Sequence, residues 1–310
     1  MLSPLTCGDR VLEFGRRTYL MGILNVTSDS FSGDGLLEDQ ESLLRRARQF
    51  VADGADILDV GGESARADVR MLTVDEEIER VCPIIERLSN EVDAVISIDS
   101  YKPEVVDAAI RAGARFVNDI GGFKLGTGTA SAAARHGVPL VINYTYERPK
   151  IRPASPPVYG DLIGEHLAFF SERIAMAVAA GMPSDHLVLD PGVAFGKSHD
   201  EDLIVLRRLR EFTAFRLPLM VAASRKHFIG SVLILPPEER LEGTAAVTAI
   251  AITNGADIVR VHDVKEMSRV ARMTDALVRA QPGEYAPTAS TWPWAAGAEV
   301  VPGTTIQGPD

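Results

Sequence analysis

The stretch AVISIDSYKPEVVDAAIRAGARFVND, residues 94–119, contains a strand, a helix and a second strand in that order. An apolar run ends on Asp99, helically spaced Val105, Val106, Ala109 and Ile110 follow, and Gly113 punctuates the helix before the run that closes on Asn118 and Asp119. Strands so continuously apolar are buried on both faces, which marks a parallel sheet covered by crossover helices.

The unit recurs along the chain. Apolar runs lie at 18–26, 56–60, 94–99, 115–119, 139–144, 187–190, 218–223 and 257–262. Helical patterns such as ESLLRRARQFVADGA (41–55), TVDEEIERVCPIIERLSN (73–90) and GTAAVTAIAITNGA (243–256) separate them. Eight such units predict an α/β fold of the (β/α)8 TIM-barrel type over residues 1–280 as one domain, an open doubly wound sheet being the alternative. DRVLEFGRR (9–17) predicts a short N-terminal hairpin capping the barrel bottom. ERPKIRPASPPVYG (147–160), rich in Pro and charge, reads as a long loop. Residues 281–310 hold five Pro, four Gly and both tryptophans without periodicity, and read as a flexible, disordered C-terminal tail.

Composition excludes several classes of function. With 46% hydrophobic and 24% charged residues the chain has material for an ample core, and no run approaches the ~18 apolar residues that cross a bilayer. MLSPLTCGDR lacks a basic segment followed by an apolar one, so a cytoplasmic protein with no membrane partner is expected. A net charge of −11 argues against nucleic acid, whose phosphates call for a basic face. Cys7 and Cys82 stand far apart, indicating neither a disulfide framework nor a zinc site.

A barrel of this kind carries its function where strands end. Seven of the eight runs end in polar residues: Asn25, Asp59, Asp99, Asn118 with Asp119, Asp190, the Ser224-Arg225-Lys226 group, and Arg260 with His262. Asp99, Asn118 and Asp190 offer acceptors and amides suited to a planar heterocycle, since a carboxylate accepts two parallel hydrogen bonds from an amidine-like edge. Arg66, Lys226, Arg260 and His262 offer donors and positive charge suited to phosphate. Arg260 and His262 are two apart and so share a face of their strand. In VAASRKHFIG (221–230) the same alternation separates Ser224 and Lys226 from Arg225, and the first pair is assigned to the interior. The basic trio Arg225, Lys226 and His227 is expected to meet an anion at the barrel mouth. His136, His166, His186 and His199 have no metal-ligand spacing and read as solvated or helix-end residues.

The polar tips fall in segments that together resemble dihydropteroate synthase. They are MGILNVTSDSFSGDG (21–35), GADILDVGGESAR (54–66), ISIDSYKPEVVDAAIRAGARFVNDIGG (96–122), LDPGVAFGK (189–197), SRKHFIG (224–230) and GADIVRVHDV (255–264), in family order. The resemblance implies a transferase of folate biosynthesis. It would condense 6-hydroxymethyl-7,8-dihydropterin pyrophosphate with p-aminobenzoate, giving 7,8-dihydropteroate and pyrophosphate, with Mg2+ as cofactor and as a homodimer. Carried over by position, Asp99, Asn118, Asp190 and Lys226 would hold the pterin. Asn25 would bind the metal and pyrophosphate, and Arg66, Arg260 and His262 the pyrophosphate. Ser224 and Phe195 would lie near the aminobenzoate, with the 27–35 loop closing over it. Asp99, Lys226 and Asn25 would be the catalytic group.

The chain departs from the family pattern at several places. Ala65 and Ala67 stand where the family has Thr and Pro, Ser28 where it has Pro, and NYTYE (143–147) where it has Met-His-Met. A pterin-binding paralogue without synthase activity, or with a different second substrate, is the alternative they raise. A barrel presenting a methyl-tetrahydropterin to a corrinoid protein would need no pyrophosphate site. An aldolase-type barrel would need a Schiff-base lysine projecting from a strand, and none of the eight runs has one in its interior.

Overall fold

After an antiparallel hairpin, β1 (Leu5–Cys7) and β2 (Arg10–Leu12), the chain runs through eight parallel strands. These are β3 (Tyr19–Asn25), β4 (Ile57–Gly61), β5 (Val95–Asp99), β6 (Phe116–Asp119), β7 (Leu140–Asn143), β8 (Leu187–Asp190), β9 (Met220–Val221) and β10 (Ile258–Val261). The computed structural model describes residues 2–26, 36–63, 70–147 and 157–280. Residues 148–156 of the loop expected over 147–160, the 27–35 loop, the segment holding Ala65, Arg66 and Ala67, and the tail from 281 lie outside the described residues.

Strands β3 to β8 pair in sequence order, while β10 lies between β3 and β9. A parallel bridge between Leu189 and Leu219, with the Leu189 amide donating to the Pro218 carbonyl at 2.9 Å, joins β8 to the approach to β9 and closes the ring. The open-sheet alternative is thereby excluded. The strand expected over 218–223 is shorter than the pattern suggested. Its apolar residues remain buried, but the chain turns at Arg225, whose φ of 57° no strand adopts.

Helices α1 (Leu36–Ala52), α2 (Val74–Glu91), α3 (Pro103–Ala112), α4 (Gly128–His136), α5 (Leu162–Ala179), α6 (His199–Arg207), α7 (His227–Leu233), α8 (Leu241–Thr253) and α9 (Val264–Val278) form the outer layer. Local chemistry fixes the starts of three of them. Thr73 with Glu76 and Ser198 with Glu201 form reciprocal capping boxes at α2 and α6, satisfying amides the helix itself leaves free. Pro103 opens α3, where its missing N–H costs nothing.

Two apolar layers hold the barrel together. One lies between strands and helices; the other fills the lower interior with Met21, Ile57, Val95, Phe116, Val141, Val188, Met220 and Ile258, each near the start of its strand. Leu5, Cys7 and Leu12 of the hairpin pack into this second layer from below, so the predicted N-terminal cap is present.

Candidate active site

Two residues along a strand return to the same face, so each position two beyond the apolar floor also points inward. Ile57 leads to Asp59, Val95 to Ser97, Phe116 to Asn118, Val141 to Asn143, Val188 to Asp190 and Ile258 to Arg260. On these six strands the barrel interior thus changes from apolar to polar in one step, while β3 and β9 continue with Ile23 and Ala222. Asp59, Ser97, Asn118, Asn143 and Asp190 are all exposed by 2% or less. Such groups persist in a core only when paired.

Asp59 is the centre of this layer. Its carboxylate accepts from Ser97 Oγ at 2.5 Å, Asn118 Nδ2 at 2.8 Å and Arg260 Nε at 2.6 Å. Arg260 Nη2 also donates to Asp99 Oδ2 at 2.7 Å, so one guanidinium lies between two carboxylates. Burial pushes the Asp99 carboxyl up to about 7 against the opposing pull of Arg260, with nearby Asp59 raising it further. With its amide nitrogen committed to Asp59, Asn118 leaves Oδ1 buried and without a hydrogen-bond partner among the described residues. Asp190 accepts from the Gly192 amide at 2.8 Å, and burial raises its carboxyl despite the counteracting charge of Lys226.

Lys226 caps α7 and donates to the Val193 carbonyl; its Nζ lies 4.9 Å from the centre of the Phe195 ring. Burial brings it down to about 8, with Asp190 and Asp202 opposing. Ser224 Oγ accepts from the His262 amide at 3.2 Å and sits 3.1 Å from His262 Nδ1. Burial and the neighbouring Arg260 charge push His262 down to about 4, so it is neutral at pH 7. Asn25 is exposed at the tip of β3. Arg66 lies outside the described residues.

Of the basic trio only Lys226 reaches the interior, in line with the assignment of Ser224 and Lys226 to it, while Arg225 and His227 turn away. Arg225 pairs bidentately with Asp263, and its amide donates to Thr244 Oγ1 at 3.1 Å. His227 is exposed at the start of α7. Strand alternation is not what separates these side chains, because β9 has already ended and Arg225 takes a left-handed conformation. The reading of His166 as solvated is also overturned. It is 0% exposed in α5, donates Nδ1–H to the Leu162 carbonyl 2.6 Å away, and stacks on Tyr144 with ring centres 3.5 Å apart.

The turn from Pro191 to Lys197 carries positive φ at Gly192 (65°), Ala194 (66°) and Gly196 (73°). A Cβ on Gly192 would lie 1.9 Å from the Tyr144 carbonyl oxygen, a backbone atom that cannot swing aside. Gly192→Ala is therefore expected to destabilise the fold by about 1–3 kcal/mol and to lower the thermal midpoint by several degrees, checked by calorimetric melting.

Sequence reading placed Asp99, Asn118, Asp190, Lys226, Ser224, Phe195, Arg260 and His262 at the mouth, and the structure brings these together. It passed over Ser97 and left Asp59 without a role, although Asp59 organises the layer. Counting two residues from the apolar floor would have found both.

A closed parallel barrel whose interior turns from apolar to charged at the C-terminal ends of its strands is an enzyme-type barrel, with a polar mouth suited to a small ligand. Residues 21–262 match the family model described as pterin binding enzyme. A dihydropteroate synthase of Bacillus subtilis is 44% identical over 267 residues, covering 86% of this chain and 91% of the relative. A Clostridium difficile dihydropteroate synthase crystallised in the presence of pteroic acid superposes with a TM-score of 0.81 at 41% identity, covering 86% of this chain and 99% of the other. The Xanthomonas albilineans enzyme with 4-aminobenzoic acid gives 0.82 at 34% identity, covering 91% and 100%. The chain belongs to the pterin-binding enzymes and, within them, to the dihydropteroate synthases, transferases of folate biosynthesis.

Proposed function

We propose that this chain condenses 6-hydroxymethyl-7,8-dihydropterin pyrophosphate with p-aminobenzoate, using the polar layer as the pterin site. The observation that carries the assignment is Asn118 Oδ1, a buried acceptor without a partner among the described residues, in one layer with the carboxylates of Asp59 and Asp190. A buried acceptor left open calls for a ligand N–H. Asp99, Asn118, Asp190 and Lys226 hold the ring, with Asp59 fixing the orientation of Asn118. Phe195 and Ser224 border the aminobenzoate. Asn25, Arg66, Arg260 and His262 receive the pyrophosphate.

The chemistry needs no protein nucleophile. The bond from the pterin methylene to oxygen breaks and its electron pair leaves with pyrophosphate. The amine lone pair then forms the carbon–nitrogen bond, and the amine proton is released. Asp99 and Asp190 place negative charge near the transient cation, while Arg260 and Lys226 offset the leaving group. Among the described residues no three His, Cys, Asp or Glu side chains cluster as a metal site. Magnesium, however, keeps most of its waters and takes substrate phosphate oxygens, so one protein oxygen suffices and the exposed Asn25 amide fits. When bound, the ion would neutralise pyrophosphate charge.

The working unit is the domain over residues 1–280, acting in the cytoplasm. Ile234 (88% exposed), Ile250 (52%), Met273 (59%) and Leu277 (73%), on or beside α7, α8 and α9, support a homodimer through these helices. No described helix is long and apolar enough to cross a membrane.

Titration calorimetry tests the site. The pterin pyrophosphate should bind at about micromolar affinity with magnesium and at least about tenfold more weakly without it, and Asn25→Ala should remove that difference. No binding under either condition would sink the assignment. Sedimentation should show twice the chain mass.

A further inference from the structure

We propose that Lys197 is a positioning residue for the aminobenzoate side of the site, acting through the Pro191–Lys197 turn and seated on the ring of Tyr144. The inference rests on the synthase reading above and adds to it a pair of residues to which that reading gives no role.

Lys197 Nζ donates to the carbonyls of Pro191 at 3.2 Å and Phe195 at 3.4 Å, spanning the turn it terminates. It lies 4.5 Å from the centre of the Tyr144 ring, whose other neighbours are His166, stacked at 3.5 Å, and Phe169, edge-on at 4.8 Å. Tyr144 therefore cannot retreat from the ammonium, and its hydroxyl leads through Tyr159 at 3.3 Å to the Gly196 carbonyl at 2.8 Å. The middle of the turn is tied by the Ala194 amide, which donates to Asp202 Oδ1 at 2.8 Å.

The turn delivers two things to the site. The Val193 carbonyl accepts from Lys226, and the Phe195 ring faces the same ammonium. Both depend on a backbone with three left-handed residues, one of them Ala194, which holds only where its surroundings enforce it. Lys197 supplies that enforcement from inside the turn by its two carbonyl bonds and its cation–π contact. The NYTYE segment is thus more than a departure from Met-His-Met. Tyr144 forms the seat for Lys197, and the Cβ of Tyr146 comes within 2.4 Å of where a side chain on Gly196 would begin.

The test uses the full chain with Lys197→Met, Lys197→Arg, Tyr144→Phe and Tyr144→Leu. Lys197→Met should raise KM for p-aminobenzoate about tenfold, while the calorimetric Kd for the pterin pyrophosphate rises by a clearly smaller factor, passed on through the Val193 contact to Lys226. Lys197→Arg should recover most of the loss, Tyr144→Phe should behave nearly as wild type, and Tyr144→Leu should resemble Lys197→Met. Hydrogen exchange over 191–197, which requires no turnover, should be faster in Lys197→Met and Tyr144→Leu. An unchanged KM, equal losses for both substrates, or no recovery with arginine would overturn the proposal. Should the wild-type chain show no turnover, the synthase reading fails on its own, and the exchange rates alone decide whether Lys197 holds the turn: unchanged rates overturn it.

Discussion

Asp190→Ala is expected to abolish binding of the pterin pyrophosphate while leaving the barrel folded. The side chain is 2% exposed at the end of β8, and among the described residues its carboxylate accepts from the amide of Gly192, two residues on. The pairing of β8 with β7 is backbone to backbone, so loss of the side chain leaves the strand pairing intact. A ligand with an amidine-like edge would instead lose two charge-assisted hydrogen bonds and leave its own N–H groups buried and unpaired. That deficit is about 2–5 kcal/mol, or roughly 30-fold to several thousand-fold in Kd. Asp190 is also the leading charge that supports the protonated form of Lys226, so the variant should drop the lysine below its present value near 8. Calorimetry with circular dichroism checks the claim, with Asp190→Asn as the isosteric control. Binding within threefold of wild type by the alanine variant would remove the pterin assignment from this layer.

Arg260→Met should be the most damaging single change to the fold among the site residues. It strands two carboxylates, Asp59 and Asp99, around a space that held their shared cation. Breaking a buried pair by removing one partner costs about 3–5 kcal/mol. The deficit should depend on pH with a defined sign. The folded pKa of Asp99, near 7, lies above the ordinary 3.8, so this carboxyl stabilises the fold while protonated and the contribution is lost as pH rises through the folded value. Arg260 holds that folded value down, and without it the value climbs further. The loss in unfolding free energy should therefore be greatest above about pH 8 and shrink towards pH 5. Urea unfolding across that range measures it. A deficit that is constant with pH would contradict the coupling, and Asp99→Asn in the same background should recover part of the neutral-pH loss.

The barrel was legible in the sequence because its strands are apolar on both faces and its helices carry a separate period. The 94–119 unit states both within 26 residues. Polar residues at the strand tips were legible for the same reason, since Asp99, Asn118 and Asp190 interrupt runs that packing alone would keep apolar. What was not legible lies in backbone conformation and long-range pairing. Nothing near Arg225 signals a left-handed residue, and only the fold brings Asp263 to it from 38 positions away. Asp59 reads as one tip among several until β10 carries Arg260 round to it, 201 positions later. His166 reads as an ordinary helix residue until Tyr144, on a different element, covers it.

The central claim, that this polar layer holds a pterin pyrophosphate for attack by an aromatic amine, is met most directly by one assay. The purified chain is mixed with magnesium and 6-hydroxymethyl-7,8-dihydropterin pyrophosphate, and pyrophosphate release is followed with and without p-aminobenzoate. The account predicts release that rises with the amine and matches the dihydropteroate formed mole for mole. Tight binding of the pterin pyrophosphate with no amine-dependent release would contradict it, and would mark a pterin pocket serving a different second substrate.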